Sequence, residues 1–235
     1  MTVQEKITEL MQKERYDFAD LQTITGILRS DEGCPWDREQ DHHSIRSSMI
    51  EETYEVVEAI DTDNPVLLRE ELGDALFQVM FHAEIEAECG RFDVNDVVDD
   101  ICKKMIHRHP HVFGSVKADT SEAVLKNWEI IKTEEKQRNT LSDKLRAIPP
   151  MLPALMRASK VSKKASRTEE QSVDGVIDSL QARLTSLKSL GGEQAKAEIG
   201  KLLFETVDLS RLYEVDAELA LTEEIDNFID KIANK

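Results

Sequence analysis

Helix-breaking residues are scarce in this chain, whose 235 residues include only 9 glycines and 6 prolines. The segments between them are rich in Glu, Lys, Leu and Ala, which are strong helix formers. Within these segments, apolar residues recur at the three- and four-residue spacing of an amphipathic helix. The sequence therefore predicts an all-α fold and argues against an all-β sandwich or barrel.

The apolar periodicity divides the chain into helices joined by short loops. One long helix is predicted over residues 3–29, and residues 29–41, which contain Gly33 and Pro35, are predicted to form a loop. The remaining helices are predicted at about residues 44–61, 64–89, 95–107, 121–138, 153–167, 173–190, 193–212 and 216–233.

Three prolines at positions 149, 150 and 153 mark the clearest boundary in the chain. Residues 198–204 beyond it match residues 71–77 at an offset of 127, which indicates an internal repeat. We therefore predict two tandem helical-bundle units, residues 1–147 and residues 148–235.

The formal net charge is −17, from 47 acidic and 30 basic residues. Such an excess of acid gives no general basic surface, so nucleic acid is not expected as a partner. Residues 136–167 run against this trend, with nine Lys or Arg and a single acid, Asp143. This stretch is either a solvated helix face or a contact for an acidic partner or for the chain's own acidic half.

Neither the composition nor the first residues indicate a membrane or secreted protein. The chain has no run of eighteen apolar residues, and its first ten residues form no apolar signal region. Three cysteines are too few, and odd in number, for a disulfide scaffold. We therefore expect a cytoplasmic protein with no membrane partner.

Acidic residues are concentrated on two consecutive predicted helices. Glu51, Glu52 and Glu55 lie on the second helix, and Glu71 and Asp74 lie on the third. Residues three or four apart share one helix face, and the short link makes the two helices antiparallel neighbours. We therefore expect the two acidic sets to face each other across one groove.

Carboxylates that converge in this way need either protons or cations near neutral pH. An all-oxygen set suits Mg²⁺, with Mn²⁺ as the alternative, better than Zn²⁺, and Mg²⁺ commonly shares its ligands with substrate phosphates. The pattern therefore indicates phosphoryl chemistry. Two other interpretations stay open here: the acids merely solvate helix faces, or, less favoured, they hold a di-iron centre, for which the chain has one Glu-x-x-His pair, Glu39 and His42.

Gly73 stands inside the third predicted helix, between two of these acids. A glycine there costs about 1 kcal/mol relative to alanine. Its presence predicts the close approach of another backbone or of a ligand.

The acidic motifs and their neighbours resemble the MazG nucleoside triphosphate pyrophosphohydrolases of the all-α NTP pyrophosphatase superfamily. The resemblance rests on EETYE followed after fifteen residues by ELGD, and on CPWDREQ at 34–40, GRF at 90–92 and RHPHVF at 108–113. These motifs are ordered and closely set over about residues 20–135. Similarity continues through LPALMRA at 152–158, so it covers nearly the whole chain.

The resemblance implies a Mg²⁺-dependent hydrolase that cleaves a nucleoside triphosphate to the monophosphate and pyrophosphate. Glu52, Glu55, Glu71 and Asp74 then correspond to the metal ligands, and Glu51 completes the motif. Water is expected to attack the α-phosphorus in line, with pyrophosphate as the leaving group. Glu51 or Glu55 is the expected proton acceptor. Together with Glu52 of the same motif, they are the catalytic candidates.

The resemblance also implies residues that bind the substrate. Lys104 and Arg108 correspond to residues that hold the triphosphate, and Trp128 and Lys132 correspond to a pair that contacts the nucleotide. The members of each pair are four residues apart and share a helix face. The alternatives are a solvated face for the first pair and a core anchor for Trp128.

The second copy of the repeat lacks the chemistry of the first. At the five acidic positions of the first copy it carries, in order, Ala182, Arg183, Ser186, Glu198 and Lys201. Because a lysine repels a divalent cation, catalysis is predicted in the N-terminal unit. The degenerate C-terminal unit is predicted to serve packing, dimerisation or regulation.

A homodimer is expected, because one unit of this kind leaves a long apolar helix face to cover. Within the superfamily, the alternative substrate is a single nucleotide such as dUTP or phosphoribosyl-ATP. The non-catalytic alternative is a helical module that senses nucleotides or binds a protein partner without turnover. The intact acidic set of the first copy favours the enzyme.

Overall fold

A computed structural model describes residues 1–135, 140–165 and 171–233, and every regular element in these ranges is an α-helix. The all-α prediction is thus confirmed. The predicted helix ends at residues 138 and 167 lie outside the described ranges. The helices are α1 Val3–Met11, α2 Phe18–Arg29, α3 Pro35–Glu39, α4 Arg46–Asp61, α5 Pro65–Glu88, α6 Val94–Arg108, α7 Pro110–Phe113, α8 Ser121–Glu135, α9 Leu141–Arg146, α10 Ala154–Ala165, α11 Val173–Leu187, α12 Gly192–Leu212 and α13 Ala217–Ala233.

The chain forms two compact units, Met1–Val124 and Leu125–Lys235. The second unit begins inside α8. The boundary predicted between residues 147 and 148 marks where one copy of the sequence repeat ends and the next begins. It stays a prediction. None of the helices in the described ranges is both long enough and apolar enough to cross a lipid bilayer.

The segment predicted as one helix over residues 3–29 forms two helices, so that prediction is wrong. The break at residues 12–17 is set by the carboxylate of Asp17, which accepts hydrogen bonds from the N–H groups of Ala19 and Asp20 at 2.9 and 3.1 Å. The Asp20 carboxylate in turn accepts the N–H of Asp17 at 3.0 Å. This reciprocal cap satisfies backbone donors at the start of α2 and so favours a new helix over a continued one.

The predicted loop at residues 29–41 is also corrected, because it contains the short helix α3. Pro35 stands at the first position of α3, where its fixed φ and missing N–H suit a helix start. Gly33 lies in the turn before α3, and a side chain there would collide with the carbonyl oxygens of Ile27 and Leu28. The chain can therefore fold back against the end of α2 only with glycine at this position.

Helix α5 is the centre of the first unit, because α2, α4 and α6 all pack against it. Its buried residues Met80 and Ala83 pack with Val94 of α6. Phe81, on another side of α5, packs with Ile45 at the start of α4. This core fixes the two helices that carry acidic residues and the helix that carries the first predicted pair of substrate-binding residues.

Helices α4 and α5 form a hairpin with a three-residue link, residues 62–64. Asp63 adopts a positive φ of 49°, which reverses the chain direction within the link. The side chain of Asn64 then accepts two N–H groups of the first turn of α5, and its own N–H donates to the carbonyl of Ala59 at 3.0 Å. These bonds fix the register of one helix against the other.

Helix α12 organises the second unit and packs against α10, α11 and α13. Val207 of α12 is buried, as is Val176 of α11. The buried hydroxyl of Ser162, on α10, donates a hydrogen bond to the carboxylate of Asp208. Arg211 donates to the same hydroxyl oxygen at 3.0 Å, so one polar cluster holds α10 on α12.

Candidate active site

The α4–α5 hairpin brings the two acidic sets together. Glu55 and Glu71 lie eight residues before and after Asp63. Glu52 and Asp74 lie eleven residues before and after it. Residues equidistant from the turn of an antiparallel helix pair lie opposite each other, so Glu55 faces Glu71 and Glu52 faces Asp74.

Three of these acids form one cluster. Carboxylate oxygens of Glu52, Glu55 and Glu71 lie within 4.8 Å of one another. Glu55 is the middle member, because it interacts with both of the others. Glu71 is buried, with 8% of its surface exposed. Three carboxylates at this separation can supply oxygen ligands to one hard divalent cation.

The crowding changes the acidity of two members of the cluster. Burial raises the pKa of the Glu52 carboxyl above its usual range, and the negative charges of Asp74 and Glu55 raise it further. Burial also raises the pKa of Glu71, and the adjacent Glu55 adds to the effect. Each raised pKa shows that the site favours positive charge, which a proton or a metal ion would provide.

Two predicted site residues lie at the edge of this cluster. Asp74 is exposed, and its charge acts on both Glu52 and Glu71. Glu51 is also exposed, and its charge acts on Glu52. The structure therefore brings three of the four predicted metal ligands within reach of one ion and places Asp74 and Glu51 around them.

Gly73 has an open surrounding in the first unit. A Cβ atom at this position would meet no heavy atom of the described residues within 4 Å. The prediction that Gly73 marks a close approach of another backbone is therefore wrong within the described chain. Instead, the missing side chain leaves the space beside Asp74 open.

The predicted substrate-binding residues lie on two helices. Lys104 and Arg108 are on α6, which packs against α5; Lys104 is exposed and Arg108 is buried. A simple solvated face therefore does not describe this pair. Trp128 and Lys132 are on α8 in the second unit, both half-buried, with the Lys132 ammonium 3.8 Å from a carboxylate oxygen of Glu129. The roles of all four in binding substrate stay predictions.

The α11–α12 hairpin carries positive side chains at two positions that the predicted repeat aligns with acids of the first hairpin. Arg183 donates to Glu198 at 2.6 Å and to Glu205 at 2.8 Å, and the Lys201 ammonium lies 3.2 Å from Glu198. The Arg183 guanidinium and then Lys201 hold the pKa of Glu198 below its usual range. In this hairpin, the side chains of Arg183 and Lys201 supply the positive charge that offsets the glutamates.

Sequence reasoning missed a polar network that joins α5 to the segment before α4. Nδ1 of His42 lies 2.7 Å from Nδ1 of His82, and Nε2 of His42 lies 2.5 Å from a carboxylate oxygen of Glu86. Arg91 also donates to Glu86, at 2.7 Å for one of two bonds. Arg91 and His42 lower the pKa of Glu86 to about 2. The four-residue spacing of His82 and Glu86 on α5 was the available signal.

The imidazole rings of this network are stacked, with centroids 5.0 Å apart. Burial and the neighbouring His42 lower the pKa of His82. The facing Nδ1 atoms are close enough to share one hydrogen bond, while Nε2 of His42 pairs with Glu86. The network therefore fastens the segment before α4 to α5, about three helical turns along α5 from Glu71.

Comparisons with known proteins agree with this geometry. The sequence profile of the MazG nucleotide pyrophosphohydrolase domain matches residues 40–113, a range that contains all five predicted acids together with Lys104 and Arg108. The chain is 41% identical over 217 residues to the nucleoside triphosphate pyrophosphohydrolase/pyrophosphatase MazG of Thermotoga maritima, a match that covers 91% of this chain and 83% of that protein.

A second relative is the nucleoside triphosphate pyrophosphohydrolase of Escherichia coli K12. It is 43% identical over 217 residues, which cover 88% of this chain and 82% of the relative. Matches of this identity extend well beyond the acidic motifs and over most of both proteins. From the paired acids of the α4–α5 hairpin, the matched domain and the extent of this similarity, it follows that the chain belongs to the MazG nucleotide pyrophosphohydrolase family.

Proposed function

We propose that this chain hydrolyses nucleoside triphosphates to the monophosphate and pyrophosphate at the acidic cluster of its first unit. The observation that carries the proposal is the convergence of Glu52, Glu55 and Glu71 within 4.8 Å. These residues fall inside the matched family domain, and the relatives from Thermotoga maritima and Escherichia coli are named for this activity.

The cofactor is Mg²⁺, with Mn²⁺ as the alternative. The residues fit a hard cation, because the donors are all carboxylates and the pKa values of Glu52 and Glu71 are raised. The salt-bridged guanidinium of Arg183 in the second hairpin supports the same need for positive charge. Glu52, Glu55, Glu71 and Asp74 would hold the ion. When bound, it would offset phosphate charge and lower the pKa of a water molecule.

The chain's own residues bind and orient the substrate and accept a proton. A triphosphate brings about four negative charges, which Lys104 and Arg108 of α6 help to offset. Trp128 and Lys132 of α8 contact the nucleotide. Glu51 lies outside the cluster and stays exposed, so it is available to accept the proton of the attacking water, with Glu55 as the alternative acceptor.

The second unit is a degenerate copy of the first, and the active form is a cytoplasmic homodimer. The paired α11–α12 hairpin with its substituted acidic positions supports the repeat. Large apolar side chains of the first hairpin, among them Ile50, Tyr54 and Leu72, are more than half exposed and offer a surface for a second copy. The free thiols of Cys34, Cys89 and Cys102 are compatible with a reducing compartment.

The decisive experiment measures pyrophosphate release from a panel of ribo- and deoxyribonucleoside triphosphates, with Mg²⁺, with Mn²⁺ and with EDTA. Glu52→Gln should lower the rate at least about 100-fold, because it removes a charged oxygen ligand without changing the size of the side chain. Glu58→Gln is the matched control, an exposed glutamate on the same helix outside the cluster, and should stay within about twofold of the wild type.

Two outcomes would contradict the proposal. Release that persists in Glu52→Gln would move the chemistry away from this cluster. Tight metal-dependent nucleotide binding without release from any substrate would favour the alternative, a non-catalytic module that senses nucleotides. The same panel ranks the substrates, so it also tests whether the enzyme is specific for one nucleotide.

A further inference from the structure

Five lysines line one cavity of the second unit, counting only the described residues. They are Lys132 on α8, Lys144 on α9, and Lys160, Lys163 and Lys164 on α10. The cavity has a volume of about 530 Å³. This volume lies in the range of small-molecule binding sites in proteins. Among these described lining residues, the proposed reaction uses only Lys132.

The lysine face of α10 is held in place by the opposite face of the same helix. Lys160, Lys163 and Lys164 stand at positions i, i+3 and i+4 and therefore project from one side. On another side, the buried Ser162 donates to Asp208 of α12. Helix α9, which carries Lys144, packs against α10. The ammonium groups are thus brought together by packed helices rather than by a loop.

The charge of this lining is strongly unbalanced. Among the described lining residues, Glu129 is the one acid, and it lies 3.8 Å from the ammonium of Lys132. Lys144, Lys160 and Lys163 add three further positive charges to the lining, in a chain whose total is −17. Ammonium groups that share a cavity repel one another, and a multivalent anion would relieve that repulsion.

We propose that this cavity binds a phosphate-chain anion, either inorganic polyphosphate or the phosphates of a nucleotide. A triphosphate carries about four negative charges, which several ammonium groups in one cavity can offset, and lysine binds phosphate as a compact point charge. The buried Ile148, together with Pro149 and Leu152, contributes an apolar wall. A cavity of about 530 Å³ with such a wall suits a compact anion rather than a protein segment.

This inference is independent of the proposed hydrolysis. Lys132 is the one lining residue that is also predicted to contact the substrate, so the proposal rests on Lys144, Lys160 and Lys163. All the lining residues lie in the second unit, whereas the acidic cluster lies in the first. Either proposal can therefore fail while the other holds.

The test is calorimetric titration of the full chain with inorganic tripolyphosphate, in buffer freed of metal by a chelating resin. Without metal, the acidic cluster repels the probe. Wild type should bind one equivalent, and the double variant Lys160→Ala and Lys163→Ala should bind at least about tenfold more weakly, which is about 1.4 kcal/mol. Both lysines are exposed on a helix, where alanine is well tolerated.

The matched control is the double variant Lys188→Ala and Lys196→Ala. It removes the same two charges from exposed positions of the second unit that do not line the cavity. Its affinity should stay within about twofold of the wild type, and the Lys160/Lys163 variant should retain pyrophosphate release. An equal loss of affinity in both double variants would show that binding depends only on the net charge of the protein, which would overturn the proposal.

A second titration identifies the source of the phosphates. It uses a nucleoside triphosphate and the Glu52→Gln variant, which prevents turnover. Equal affinity for the nucleotide and tripolyphosphate indicates that the phosphate chain alone is recognised. Tighter nucleotide binding that is lost when Lys160→Ala and Lys163→Ala are added indicates that the nucleoside also contacts the cavity. No saturable binding of either probe, or binding of duplex DNA alone, would refute a small-molecule phosphate site.

Discussion

Replacing Arg29 with alanine is predicted to destabilise the first unit by about 3–5 kcal/mol, because this side chain joins three segments. It is almost fully buried, and Nε and Nη2 donate to the two carboxylate oxygens of Glu88 at 2.7 and 2.8 Å. Nη1 donates to the backbone carbonyls of Asp37 and Gln40 at 2.7 and 3.0 Å. The guanidinium also lies 5.1 Å from the ring centroid of Phe81.

The magnitude follows from these contacts. Glu88 is 40% exposed, so solvent screens the ion pair and its loss costs only about 1 kcal/mol. Each of the two carbonyls loses a charged donor, at about 1–1.5 kcal/mol apiece. The cation–π contact with Phe81 contributes about 0.5–1 kcal/mol. Most of the loss therefore arises at the carbonyls around α3 rather than at the ion pair.

Urea unfolding followed by the fluorescence of Trp36 measures this change. The chain has two tryptophans, Trp36 on α3 and Trp128 on α8, so a Trp128→Phe background restricts the emission to the segment that Arg29 holds. The midpoint should fall by about 1–2 M urea. Glu88→Gln should cost at most about 1 kcal/mol. If Glu88→Gln were as costly as Arg29→Ala, the assignment of the energy to the carbonyls would be wrong.

Glu86 has a pKa of about 2 in the folded state against 4.5 ordinarily, owing to Arg91 and His42. Its stabilising effect is therefore complete above pH 4.5 and is lost as the pH falls toward 2, so calorimetry should show the Tm deficit of Glu86→Gln disappearing over that interval. Met80→Ala should lower the unfolding free energy by about 2–5 kcal/mol in urea titrations, since this buried side chain leaves a cavity in the core. Arg183→Glu should lower the Tm in EDTA and recover with Mg²⁺, because an added carboxylate beside two glutamates needs a cation; no recovery would contradict the equivalence of the two hairpins.

Residues of the acidic cluster could be predicted from the sequence because each relation among them is local. Glu52 and Glu55 are three residues apart on one helix, and a link of three residues leaves the next helix a single antiparallel register. That register places Glu71 opposite Glu55. The same reasoning could not extend to Trp128 or Lys132, which belong to the second unit.

Contacts between residues far apart in the sequence could not be predicted from the sequence pattern. The pair of Arg29 and Glu88 spans 59 positions, and the pair of His42 and His82 spans 40. No helical or strand periodicity relates residues so far apart. The break at residues 12–17 was missed for another reason: Leu10 and Phe18, on either side of it, belong to one predicted apolar stripe, and the cap that begins α2 outweighs that continuity.

The two hairpins differ in where their counter-charge originates. In α11–α12 it is a permanent part of the polypeptide, because Arg183 bridges two glutamates. In α4–α5 the cation that we propose would come from the surrounding solution. With that cation in place, a fall in free divalent ion is expected to weaken the α4–α5 hairpin and to leave α11–α12 unchanged. When metal is scarce, α11–α12 would therefore keep its stability while α4–α5 would lose some of its own. Proteases would then cleave the α4–α5 hairpin first.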